Sequence, residues 1–287
     1  MNSIDIESKK FLGQPKNFVS IFNALLFDGK QVLKPEYLKD ENSELVMNVS
    51  SKHVDIIKRY EDGTYLDLFV IESQSYVDPS MVARVMEYES VARMRYIRQN
   101  FKTHVPMHTR LPMILTVVLY VGESKWNAAK RLSELEIIHP GFEDMFNEFK
   151  LNLIELNTNH KYNTGEKATQ DFFDLLRMIY RKQILKEDLD REFNRDALYF
   201  AYVVTKNKEL LNIYQESEKG DVKVCRALDE MFEESTNKGI QMGIKQGIEL
   251  NQFEVYQTML DKGFSVKDIA SIFSVSEESI KKLLMKA

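Results

Sequence analysis

The chain has 287 residues, 44% hydrophobic and 11% aromatic, with 29% charged residues. That composition can bury a sizeable core, and it excludes a disordered polyelectrolyte. A formal net charge of −5 gives no overall attraction to nucleic acid, so such a partner would need a local basic surface.

One cysteine, Cys225, excludes an intramolecular disulfide and a multi-cysteine zinc site. Residues 1–5 begin no basic-then-apolar leader, and the longest apolar run, residues 111–121, is too short to span a bilayer. A cytoplasmic protein with no membrane partner is the expectation. The length suggests one main domain with an appendage.

In chain order, residues 1–10 are polar and are expected to be disordered. Residues 17–27 carry Phe18, Ile21, Phe22, Leu25 and Leu26 at helical spacing, and Asp28-Gly29 should end that helix. A polar extended segment follows through residues 35–51. Residues 54–60 and 65–75 then predict two strands, and the Asp62-Gly63 between them is a hairpin signal. After Asp78-Pro79 comes a helix to about Asn100, with Met81, Val85, Tyr88, Ala92 and Tyr96 at helical spacing.

Residues 113–121 form a nearly continuous β-branched run that suits a strand covered on both faces. Residues 125–135 predict a helix and residues 151–156 a further strand. From Thr169 onward the pattern is helical. The fold class expected is α/β: a restriction-endonuclease-like mixed sheet flanked by helices, then a mostly helical C-terminal region. The divisions are residues 1–10, a core at 11–165, a helical extension at 166–235, and a tail at 236–287.

In that tail Gly239, Gly243 and Gly247 are each followed by isoleucine. The spacing suits either a helix stripe that lets another helix approach or a flexible linker. Ser265 and Ser276 are expected to cap two short closing helices, in the outline of a helix-turn-helix.

The chemistry concentrates in residues 55–74. With Asp62 and Gly63 as a two-residue turn, Glu61 pairs with Thr64 and Asp55 lies opposite Val70. Asp55 then shares a face with Val70, Glu72 and Gln74, because side chains alternate along a strand. Glu72 is its diagonal neighbour at about 7–8 Å. Two carboxylates at that separation can share one divalent cation. Oxygen donors without cysteine or paired histidine favour Mg2+ or Mn2+ over zinc. The alternative is a strand end whose acid and amide face solvent.

The basic residues Arg84, Arg93, Arg95, Arg98 and Lys102 stand against Glu87 and Glu89, and taken alone read as a solvated helix face. His104 and His108 are separated by Pro106, so their four-residue spacing does not imply a helical metal pair. There is no G-x-x-x-x-G-K-[ST] loop and no G-x-S-x-G elbow. Cys225 has no evident histidine partner, and Trp126 reads as a packing residue.

Asp55 followed by Glu72-Ser73-Gln74 resembles the D…E-x-K core of the PD-(D/E)XK nuclease superfamily. More closely it resembles the bacterial recombination-promoting nuclease/putative transposase family, in which the final lysine is commonly glutamine. The resemblance runs through residues 22–30, 54–58, 71–78 and 81–88, then 111–123 with Lys125-Trp126. The Gly-Ile repeat and the closing helical hairpin are also frequent there.

The resemblance implies a metal-dependent DNA endonuclease linked to recombination or mobile elements, with Asp55 and Glu72 as metal ligands. It implies that Gln74 hydrogen-bonds the attacking water, and leaves Arg84 as the candidate for the missing lysine's cation. Relatives often offer an acid near the position of Ser20, which this chain lacks. Two alternatives stand: an inactive nuclease-derived protein that binds DNA or assembles, and a hydrolase of RNA or nucleotides. The glycine stripe also suggests a homo-oligomer through the C-terminal helices.

Overall fold

The structure is a computed structural model and describes residues 3–40, 56–63, 66–184, 186–217 and 220–285. The chain divides into two compact units, Met1–Leu228 and Asp229–Ala287. Among the described residues no helix is long and apolar enough to cross a membrane.

The first unit is built on a five-stranded sheet in the order β1-β2-β3-β4-β5: Leu38–Asp40, Ile56–Glu61, Leu66–Gln74, Ile114–Tyr120 and Asn152–Glu155. The first three strands are antiparallel; β3, β4 and β5 are parallel. The fold is α/β, a mixed sheet with helices and a helical C-terminal region. Burial explains the residue types. In β4, Val117, Val118 and Leu119 are fully buried, and each such side chain contributes about 1.5–3 kcal/mol on leaving water.

Helices cover both faces. Helix α3 (Met81–Asn100) lays Tyr88 and Ala92 on Leu68, Val70 and Ile114, and its first two turns pack Met81, Val82 and Val85 against Val118 and Tyr120. On the opposite face, helix α2 (Pro15–Phe27) stacks Phe22 on Phe69 at 4.7 Å between ring centroids. Proline opens α2, where its missing N–H costs nothing, and Asp28 takes the left-handed turn at φ 51°. Gly29 follows at φ 78°, where a Cβ would come within 2.7 Å of Asn163.

Three expectations need correction. The described part of residues 1–10, from Ser3 on, is not disordered: α1 (Ser3–Leu12) is helical, with Ser8, Phe11 and Leu12 buried. Phe11 meets Phe172 and Phe200, so aromatic packing holds a segment that its own composition would not. The hairpin is not closed by a two-residue turn. Glu61 pairs with Leu66 and Ile57 with Val70, so the connection spans residues 62–65 and Val70 is not opposite Asp55. The register moves by two residues, which leaves the faces unchanged.

The third concerns residues 125–135, which form no α-helix. Trp126 is buried against Tyr120, and Arg131 bridges Lys150 beside bonds from Leu132 N to Phe149 O and Leu151 N to Lys130 O. Pairing with the approach to β5 takes the backbone groups that a helix would have used.

Beyond the sheet come α4 (Lys167–Arg181), α5 (Arg195–Thr205) and α6 (Lys208–Glu216), with a two-stranded pair, β6 (Glu192–Phe193) and β7 (Val222–Lys223). A buried charge network ties α4 to the segment before α5. Arg191 bonds Asp171 at 2.6 Å and Asp174 at 2.8 Å. Asp171 also accepts from Lys167 Nζ and Asn194 N, and Asp174 from Arg177.

Most of α7 (Cys225–Asp261) belongs to the second unit, with α8 (Val266–Phe273) and α9 (Glu277–Leu284). The Gly-Ile repeat is therefore helix and not linker. A Cβ at Gly239, Gly243 or Gly247 would meet nothing within 4 Å, and Ile240, Ile244 and Ile248 are exposed. Ser265 and Asp268 form a reciprocal capping box, and Ser276 accepts from Ser279 N. Tyr256, Ile269, Ala270 and Ile280 make the unit's own small core.

Candidate active site

Strand alternation places Leu68, Val70, Glu72 and Gln74 on the α3 face of β3, and Phe69, Ile71 and Ser73 on the other. Glu72 and Gln74 come last, where β3 and β4 end together: Glu72 pairs with Val118 and Gln74 with Tyr120. The carboxyl ends of parallel strands are where open α/β sheets place ligand crevices. Both residues are only 4% exposed, and a buried carboxylate demands compensation.

Part of that compensation comes from α3. Arg84 lies in its first turns, one helical turn before Tyr88, so both side chains look at β3. Its Nη2 donates to Glu72 Oε1 at 3.0 Å and its Nη1 to Asp78 Oδ2 at 2.5 Å. Nη2 and Nε also reach the Tyr88 hydroxyl at 2.7 and 3.1 Å. The guanidinium thus bridges two carboxylates from different sides.

Asp78 lies in the loop between β3 and α3. Its Oδ1 accepts from the Ser80 N–H and hydroxyl at 2.9 and 2.7 Å, which fixes the turn into the helix. Burial raises the Asp78 carboxyl, but the bonds from Ser80 and Arg84 outweigh it and hold the group below its ordinary value. Burial lowers Arg84, yet Asp78, Tyr88 and Glu72 leave it more firmly protonated than usual. Tyr88 is pushed up by burial and then by the charge of Glu72, so it remains a neutral phenol.

Among the described residues, two carboxylates and one guanidinium sum to one negative charge, an excess that a further cation can neutralise. Beside them, Gln74 Nε2 is buried with no hydrogen-bond partner among the described residues, and a buried donor without an acceptor is costly. An oxygen supplied by water or a ligand would satisfy it. The donors are oxygens, the set that suits Mg2+ or Mn2+. Among the described residues no cluster of three His, Cys, Asp or Glu side chains could hold a metal ion. Asp55, the other ligand the resemblance implies, lies outside the described residues.

Of the sequence-derived site residues, the structure brings Glu72 and Arg84 into direct contact and sets Gln74 two residues on, along the same face. Ser20 is buried in α2, its hydroxyl 2.8 Å from both Asn17 O and Thr169 Oγ1. Local helix and α4 contacts occupy it. His104 and His108 sit in irregular chain.

Asp78, Tyr88 and a further carboxylate, Glu155, escaped the sequence reading. Glu155 pairs with Tyr120 in β5, two strands from Gln74 in the same row, and is bonded by Lys130. Asp78-Pro79-Ser80 before a helix signals only a cap. Nothing local reveals that Asp78 also clamps an arginine six residues on.

No curated protein and no solved structure matches this chain. The profile of the family described as "Putative transposase, YhgA-like" matches residues 9–210, which takes in the whole five-stranded sheet, α3 and the Glu72–Arg84 cluster. The chain belongs to the YhgA-like putative transposase family.

Proposed function

We propose that the chain is a metal-dependent DNA endonuclease with its active site at the carboxyl end of β3. The family description points to a mobile-element role and to DNA as the partner. The observation that carries the finer reading is the cluster of Glu72, Arg84 and Asp78 beside Gln74 Nε2, a buried donor with no hydrogen-bond partner among the described residues.

On this reading Asp55 and Glu72 hold Mg2+ or Mn2+. The ion would supply Lewis-acid activation of the phosphodiester and of water. Glu72 provides the negative charge that holds the cation. Gln74 donates its free amide hydrogens to an oxygen in the site and orients it for in-line attack. Arg84 brings positive charge toward the phosphate, where preorganised charge stabilises the transition state. Asp78 and Tyr88 are positioning residues that fix the guanidinium against β3.

A second reading, a nuclease-derived protein that binds DNA without cutting it, draws on one observation: Arg84 already neutralises Glu72.

The test is cleavage of supercoiled plasmid by the full chain in Mg2+, Mn2+ or EDTA, with Asp55→Ala as the comparison. Nicking that needs the metal and disappears in the variant is the expected result. DNA binding with no nicking in either metal would leave the second reading in place.

A further inference from the structure

The second half of α3 and the chain leaving it carry charge of one sign. Residues 90–113 hold Arg93, Arg95, Arg98, Lys102 and Arg110 and no Asp or Glu, in a chain of net charge −5. Arg93 is committed to the buried Glu89 at 2.9 Å. Arg98, Lys102 and Arg110 are exposed, and none of the three forms an ion pair with a described carboxylate.

The loop itself is unusual. Residues 101–113 form neither helix nor strand, whereas helix-to-strand connections commonly take about 2–6 residues. The loop turns through Thr109 N bonded to Pro106 O, with His108 at φ 73°. Its end is fixed by Met113 N on Asp67 Oδ1 and Leu68 N on Met113 O. A long surface loop on a rigid anchor is a common carrier of binding residues.

At 1.5 Å per residue, Arg98 lies about 21 Å along α3 from Arg84. That is roughly six base pairs of duplex at about 3.4 Å per step.

We propose that Arg98, Lys102 and Arg110 form a phosphate-contacting surface that grips duplex DNA about six base pairs from the phosphate at Arg84. The proposal rests on the reading that the chain acts on DNA, and deepens it by adding a second contact region. Point charges on flexible stems match the regular spacing of phosphates and give no sequence preference.

A second copy of the chain is the competing occupant. Residues 132–149 hold Glu134, Glu136, Glu143, Asp144 and Glu148 and no Lys or Arg. A continuous run of phosphates is the more regular counter-charge for three unpaired cations.

The test compares the full chain with the triple variant Arg98→Ala/Lys102→Ala/Arg110→Ala. Binding to a long labelled duplex, of about 24 base pairs, is read by anisotropy in EDTA, between about 50 and 200 mM salt. On the long duplex the variant should bind about tenfold more weakly, with a salt slope shallower by about 2–3, near 0.9 for each phosphate that is no longer neutralised.

Equal affinity and slope on the long duplex would overturn the proposal, as would no binding by the wild type. A changed oligomeric state at unchanged DNA affinity would also overturn it and give the surface to a second copy. Failure of the nuclease reading is separable: wild type that shows the predicted binding but nicks no plasmid retains the surface and loses only the catalysis.

Discussion

Arg84 and Arg191 each bridge buried carboxylates within the first unit, and their surroundings differ in one way. Around Arg191, the carboxylates of Asp171, Asp174 and Asp188 meet Arg191, Arg177 and Lys167, and Lys167 also meets Asp221. Backbone Asn194 N completes the set. Around Arg84, two carboxylates face one guanidinium, and the neighbouring Gln74 amide has no partner among the described residues. A network whose buried polar groups all have partners holds elements together. One with a buried donor that no described group satisfies is arranged for something that binds. Position agrees, since one cluster ties α4 to the segment before α5 and the other ends β3 where the parallel strands finish.

Substitutions break this comparison in opposite directions. The largest expected effect is Glu72→Gln, which should cut metal-dependent DNA cleavage by at least about 10²-fold, the scale of losing a main electrostatic contributor. Its thermal midpoint should stay close to that of the wild type, because Asp78 and Tyr88 still hold Arg84. Asp171→Ala should do the reverse. It strips Arg191 and Lys167 of a buried partner, a loss of about 3–5 kcal/mol readable by chemical denaturation. Cleavage per folded molecule should be unchanged. A catalytic defect at Asp171 with unchanged stability would erase the distinction between the clusters.

Asp78→Asn should fall between them. With Arg84 less firmly placed, cleavage should drop about 10–100-fold, the range for a residue that orients another.

It should also alter acid stability. The Asp78 carboxyl is depressed in the folded state, so its contribution is present above the ordinary aspartate value of about 3.9. That contribution is lost as pH falls through the lower folded value. Denaturation measured from neutral pH downward should show wild type exceeding the variant by a constant margin that shrinks below about pH 4. A margin that does not change with pH would contradict the clamp.

The smallest effect belongs to Tyr88→Phe. It removes two donor–acceptor contacts to Arg84 but keeps the ring packed on Leu68 and Val70. About 1 kcal/mol of stability and a few-fold loss in rate are expected.

Sequence periodicity carried much of the fold because the core uses regular patterns. The β-branched run of β4, the apolar stripe of α2 and the serine caps of α8 and α9 are all local signals. What it missed depends on partners far along the chain. Helix α1 is polar apart from a few positions, and its anchor Phe11 works through Phe172 and Phe200, more than 150 residues away. Residues 125–135 have helical spacing, but bonding toward β5 outweighs it.

At the candidate site, the Glu72–Gln74 spacing on a strand was visible. The hairpin register was not, because the sequence shows an Asp-Gly turn but does not fix where pairing resumes. Asp78 and Tyr88 acquire their meaning only from Arg84, which the fold turns back onto β3.

The most direct test of the account is plasmid nicking in Mn2+ by wild type, Glu72→Gln and Asp171→Asn, run together below the melting temperature of the least stable protein. The account predicts nicking by wild type and Asp171→Asn, and none above background by Glu72→Gln. Nicking by Glu72→Gln at the wild-type rate would show that the cluster at the end of β3 is not the catalytic centre.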